Sequence, residues 1–119
     1  MNLQASLAKK RSAYRQDLEK ASRSILRQLS AMPEVEKVFL FGSYAAGRRD
    51  LFTDLDLLVV MDTPKNFITR TTELYRKIQS GVDLDMLVYT PEEFEQQKNK
   101  PFIRNALASG KVIYERRGP

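Results

Sequence analysis

Three short stretches hold residue types suited to phosphate and metal chemistry. The first is Phe41-Gly42-Ser43, at the end of an apolar run. A glycine there lets backbone N–H groups approach phosphate oxygens with no Cβ in the way, and the serine adds a hydroxyl donor. On its own, a Gly-Ser pair after a strand is an ordinary turn. The second is Asp54-Leu55-Asp56, followed by the apolar run Leu57, Leu58, Val59 and Val60. Period-two alternation in a strand puts both carboxylates on one face and Leu55, Leu57 and Val59 on the other. Side-by-side like charges at the entrance to a core are destabilising unless solvated or neutralised. A hard divalent cation such as Mg²⁺ resolves that conflict, because it takes carboxylate oxygens and keeps waters and phosphates as its other ligands. The third stretch, Asp83-Leu84-Asp85, repeats the pattern before another apolar run. If the two strands are neighbours, up to four carboxylates gather at one sheet edge, and two bound cations stabilising an in-line displacement at phosphorus become the economical reading. Arg48 and Arg49, between the first two stretches, can offer guanidinium forks to phosphate oxygens or carboxylates, or can be a solvated loop pair.

The elements that must position these residues follow from periodicity and punctuation. Tyr14, Leu18, Ala21, Ile25, Leu29 and Met32 recur at helical spacing up to Pro33, so a helix is expected over 12–31, with 1–11 a frayed extension or a separate turn. Strands are expected over 35–41, 54–61, 83–89 and 111–114, with a helical turn over 44–47 and helices over 67–79 and 102–108. Thr90-Pro91-Glu92-Glu93 reads as a helix start with a capping box. Tyr44 is expected to pack that helical turn, Phe41 and Phe52 to join the core, and 116–119 to form a loose tail. The expected fold class is α+β: one domain over 1–119, a small mixed sheet flanked by helices.

Composition narrows the chemistry. The 119 residues contain no histidine and no cysteine, which excludes Ser-His-Asp catalysis, imidazole or thiolate metal sites, cysteine nucleophiles and disulfides. No apolar run approaches the roughly 18–20 residues of a membrane span, and no apolar leader precedes the domain, so a soluble cytoplasmic protein without membrane partners is expected. Residues 1–31 hold seven basic and two acidic side chains, which accounts for the entire net charge of +5. Such a face suits RNA or an acidic protein surface, though solvation alone explains it equally well.

Gly42-Ser43, ten intervening residues, then Asp54-x-Asp56 resembles the signature of the DNA polymerase β-like nucleotidyltransferase superfamily. With the surrounding Phe-Gly-Ser-Tyr-Ala-Ala-Gly-Arg, Thr-Asp-Leu-Asp-Leu-Leu-Val and Asp-Met-Leu-Val-Tyr-Thr-Pro segments, the chain is similar over about residues 33–96 to the minimal nucleotidyltransferases, or MNT proteins. The resemblance implies that Gly42 and Ser43 hold the β- and γ-phosphates of ATP, and that Asp54 and Asp56 coordinate two Mg²⁺ ions. A third carboxylate completes the set, with Asp85 preferred and Asp83 on the same face as the alternative. It further implies an antitoxin that moves AMP onto a tyrosine of a HEPN-domain toxin. The alternatives are a non-catalytic binding subunit, or transfer to RNA or a small molecule.

Overall fold

The computed structural model describes residues 2–117. Helix α1 (Leu3–Ser30) is amphipathic: Leu18, Ala21, Ile25 and Leu29 are buried along one stripe, each worth roughly 1.5–3 kcal/mol for a large aliphatic side chain. The helix starts nine residues earlier than expected from periodicity. Asn2 caps it by accepting the Gln4 N–H at 2.9 Å, and residues 3–11 contain no glycine or proline to stop it. Its first three turns are mostly exposed.

Strand β1 (Val35–Phe41) leads into the single turn α2 (Gly42–Ala45). Strand β2 (Leu55–Met61), helix α3 (Phe67–Lys77) and strand β3 (Leu84–Tyr89) follow, then α4 (Pro91–Gln97), α5 (Pro101–Ser109) and β4 (Lys111–Glu115). The sheet order is β3-β2-β1-β4. β1 is antiparallel to β2 and β4, whereas β2 and β3 run parallel, joined through α3, so the sheet is mixed as expected. Alternate residues of β2 divide between two cores. Leu55, Leu57, Val59 and Met61 pack beneath α1 and α3, while Leu58 and Val60 meet Phe39, Phe94 and Ile103 under α4 and α5. That alternation fixes which face Asp56 occupies.

The end of the sheet is closed by side chains. Strand β3 lies at an edge, yet its Met86 N–H donates to the Tyr75 hydroxyl at 2.6 Å and its Val88 carbonyl accepts from the Arg70 guanidinium at 3.2 and 3.3 Å. Arg70, only 3% exposed, also donates to the Lys65 carbonyl and to Glu93. Glu93 in turn completes the capping box with Thr90 at the start of α4. One buried cation therefore ties α3, β3 and α4 together and blunts the edge.

Boundaries shift slightly elsewhere. α3 stops at Lys77, two residues short of the expected end, and Pro101 at the first position starts α5 one residue early. Arg116 is not loose: its N–H donates to the Glu36 carbonyl at 2.8 Å and its guanidinium reaches Pro33 and Glu36. The last two residues of the expected tail lie outside the described residues. Among the described residues, no helix is long and apolar enough to cross a membrane.

Candidate active site

Gly42 closes β1 with a φ of +76°, a left-handed conformation that L side chains rarely adopt. A Cβ there would stand 2.1 Å from Asp56 Oδ2, so the carboxyl group of Asp56 occupies the space a side chain would need. Register explains the approach, since Phe41 pairs with Asp56 across the β1/β2 ladder. The chain then enters α2, whose first N–H groups have no carbonyl one turn behind them and are available to an anionic ligand. Ser43 is half-buried at this turn, and Tyr44 is buried in the main core. Tyr44 anchors α2, in line with the packing role expected from sequence.

The carboxylates converge on the same end of the sheet. Asp56 and Asp85 are Cα partners in the parallel β2/β3 pair, and both lie on the face of Leu58 and Leu87. Burial, then the charges of Asp85 and Asp54, push the Asp56 carboxyl above its ordinary value. Asp54 sits just before β2 and Asp83 just before β3, outside the strands in which sequence reading put them. The Leu55 N–H donates to the Asp83 carbonyl at 3.1 Å, which sets where the two strands begin. Asp83 and Asp54 both raise the Tyr14 hydroxyl pKa, after burial, whereas Asp83 is not among the charges acting on Asp56. The structure thus pairs Asp56 with Asp85 in register, keeps Asp54 within electrostatic reach of Asp56, and leaves Asp83 before the strand, within electrostatic reach of Tyr14 on α1. Among the described residues, no three acidic side chains converge tightly enough to ligate one ion. Hard oxygen donors, one of them raised in pKa by burial and then by its neighbours' charge, are nonetheless the donor set that fits a divalent cation.

The loop between the two motifs is organised by a residue that sequence reading passed over. Asp50 Oδ1 accepts from the Phe52 N–H at 2.9 Å and from the Thr53 hydroxyl at 3.2 Å, and Asp50 Oδ2 accepts from Arg48 Nε at 2.6 Å. The Arg48 hydrogen bond holds the Asp50 carboxyl below its ordinary value. Thr53 is fully buried, and its carbonyl accepts from the Tyr14 hydroxyl at 2.7 Å, pinning the approach to Asp54 against α1. Arg49 lies 3.6 Å over the Tyr44 ring and donates to the Tyr44 and Arg48 carbonyls, both at 2.8 Å. Both loop arginines therefore have partners within the domain, with Arg48 the more exposed of the two. Phe52 departs from expectation: it is 82% exposed rather than in the core, because the Asp50-centred turn directs Thr53 inward in its place. The three-residue spacing of Asp50 and Thr53 was the available signal for this turn.

Comparison with known proteins shows the family and the fold. Residues 23–118 match the family described as Polymerase beta, Nucleotidyltransferase. The chain is 34% identical over 99 residues to a Methanocaldococcus jannaschii protein assigned as a protein adenylyltransferase, an alignment spanning 81% of this chain and 97% of that one. A solved structure assigned as a nucleotidyltransferase from Sulfolobus solfataricus superposes with a TM-score of 0.62 at 22% identity, covering 89% of this chain and 87% of the other. A chain from the complex of tri-AMPylated Shewanella oneidensis HEPN toxin with MNT antitoxin gives 0.53 at 21% identity, covering 83% and 73%. At these identities the solved structures establish a shared fold.

Proposed function

Because the chain belongs to the Polymerase beta nucleotidyltransferase family, we propose that this nucleotidyltransferase moves AMP from ATP onto a tyrosine hydroxyl of a HEPN-domain partner, as the antitoxin of a two-protein system. The observation that carries the reading is the in-register pair Asp56 and Asp85 beside a glycine whose missing side chain makes room for Asp56. The protein adenylyltransferase assignment of the archaeal relative supports a protein acceptor, and the toxin–antitoxin complex among the fold relatives supports a HEPN partner.

In this mechanism the α2 N–H groups and the Ser43 hydroxyl bind the β- and γ-phosphates and hold the α-phosphorus in line with the acceptor. Between them Asp54, Asp56 and Asp85 would hold two Mg²⁺ ions, so that no single ion needs all three carboxylates, and the ions would supply charge neutralisation on the phosphates and lower the cost of deprotonating the acceptor hydroxyl. Asp85, on the exposed edge strand, faces the acceptor and orients its hydroxyl. The acceptor hydroxyl gives its proton to Asp85 as its oxygen bonds to the α-phosphorus, the bond from that phosphorus to the oxygen bridging it to the β-phosphorus breaks, and pyrophosphate leaves. Arg48 is the loop cation best placed to accompany the departing phosphates, because its exposed bond to Asp50 is easily exchanged. Positioning and charge stabilisation account for the rate, with no covalent enzyme intermediate. A cytoplasmic location, where ATP is abundant, accompanies the proposal.

Mass spectrometry of the co-purified HEPN protein after incubation with ATP and Mg²⁺ tests it. Addition of AMP to a tyrosine, lost when Asp54 and Asp56 are both replaced by Asn, is the expected result. Neutralisation of the toxin by the double variant as fully as by the wild type would instead make this chain a stoichiometric binder.

A further inference from the structure

The N-terminal turns of α1 and the loop carrying Asp50 form the two walls of an open groove of about 940 Å³, on the side of that loop turned towards the helix. Leu7, Arg11 and Arg15, spaced four apart on one stripe of α1, face Leu51 and Phe52 across it. Phe52 is 82% and Leu51 42% exposed, and Leu3 near the helix tip is 73% exposed. Among the described residues, Arg11 and Arg15 enter no ion pair and no side-chain hydrogen bond. A helical segment of this length is marginal in water unless something packs against it, and residues 3–13 of α1 pack against little of their own domain.

We propose that this groove is the docking surface for an acidic, amphipathic segment of the protein that receives the nucleotide. The identification of its occupant as the acceptor rests on the function proposed above. Charge complementarity selects the occupant, because the whole net charge of +5 lies within residues 1–31 and two unpaired guanidinium groups stand at the groove's rim. An aliphatic and aromatic floor with a charged rim is the make-up of a protein interface. A single-stranded nucleic acid would call for several stacking rings, and the groove has one. A second copy of this chain would bring a basic arm against a basic arm. The location matters for function: Thr53, two residues beyond Leu51, accepts the Tyr14 hydroxyl bond that pins the approach to Asp54. An acceptor segment seated here is held beside the loop that leads into the carboxylates.

The test uses the full-length ¹⁵N-labelled chain and two defined probes at 150 mM salt: an 18-residue Leu/Glu amphipathic helical peptide, and a 20-nucleotide oligo-uridine RNA. The peptide is expected to shift the amide signals of residues 7–15 and 47–52, and Arg11→Glu/Arg15→Glu is expected to weaken it at least tenfold, about 1.4 kcal/mol. Thermal melting checks that the variant is folded, and Phe52→Ser, an exposed and uncharged change, provides a second variant expected to weaken the peptide. Peptide shifts confined to other surfaces, preference for the RNA, or a dimer that the charge reversal dissolves would each overturn the proposal. Failure of the wild type to transfer AMP to its HEPN neighbour would overturn the function proposed above and leave the groove standing on the titration.

Discussion

Gly42→Ala separates the geometry of the carboxylates from their chemistry. Two costs can be read from the structure. At φ +76° an L residue is strained, by roughly 1–2 kcal/mol. The new Cβ would also lie 2.1 Å from Asp56 Oδ2, where ordinary contact begins at 3.4 Å, so the carboxyl group or the bend must give way by about 1.3 Å. A half-buried side chain on a strand can rotate, which limits the loss of stability to about 2–3 kcal/mol with the strain included, or roughly 8–12 °C in Tm for a domain of this size. Activity is hit harder, since a displacement of about 1 Å in a positioned group costs on the order of a hundredfold. The assay is a single-turnover measurement of AMP transfer at saturating ATP, with the folded fraction set by circular dichroism at the same temperature. A Gly42→Ala protein that melts as expected yet transfers AMP within about threefold of the wild type would show that Asp56 does not act from the position described.

Asp56→Asn should stabilise the metal-free protein by about 0.5–1 kcal/mol, by removing a charge disfavoured first by burial and then by the carboxylates of Asp85 and Asp54, while abolishing transfer. The sign is fixed by the raised pKa of Asp56: from its ordinary value up to its raised value the folded state keeps a proton the unfolded state has lost, so the wild type loses stability as pH rises through that window. Melting curves should therefore diverge above about pH 4 and stay apart at neutral pH; a less stable Asn variant there would refute this. Asp85→Asn should cut transfer by about a hundredfold or more and Asp83→Asn by only a few-fold, because a lost metal ligand removes several kcal/mol of transition-state stabilisation; equal losses in the two would reject Asp85 as the third carboxylate. Tyr14→Phe removes the 2.7 Å bond to the Thr53 carbonyl and should cost about 1 kcal/mol, with amide exchange quickening at 53–55 rather than in β3. Arg70→Met should lower stability by about 2–3 kcal/mol, leaving the Val88 carbonyl and the Glu93 carboxylate short of donors, with AMP transfer per folded molecule unchanged in a Tm-normalised assay.

The legible parts of this molecule were those written in local patterns. Alternation in β2 told which side chains of 54–61 enter the main core, and Thr90-Pro91-Glu92-Glu93 announced the start of α4 through bonds made within four residues. Pairing was harder to read. Nothing in Asp83-Leu84-Asp85 separates its two carboxylates, since they share a face; what separates them is the β2/β3 register, which sets Asp85 beside Asp56 and leaves Asp83 before the strand, within electrostatic reach of Tyr14. Helix α1 went the other way. Its first turns lack the apolar period because they bury almost nothing, so periodicity reported where the helix packs and not where it begins. Arg70 was hidden for a related reason: an arginine at helical spacing reads as solvated, and only the meeting of Val88, Lys65 and Glu93 around it makes burial tolerable.

These features place strength and freedom at different ends of the sheet. At the end where β3 runs into α4, a buried guanidinium and a capping box bind three elements together. At the other end, where the candidate site lies, the loop over 46–53 is held by one carboxylate, one tyrosine hydroxyl and a stacked arginine, and Phe52 is left in solvent. Local stability follows burial and backbone pairing, so the carboxylates of β2 and β3 rest on the rigid end's support while the loop leading to Asp54 can adjust to what it binds. A nucleotidyltransferase needs that division. In the proposed mechanism the phosphates demand fixed donors, and those would come from a glycine bend packed against Asp56 in a central strand pair. The proposed protein acceptor must be admitted and released, and on this reading it meets the part of the loop where Leu51 and Phe52 are left exposed.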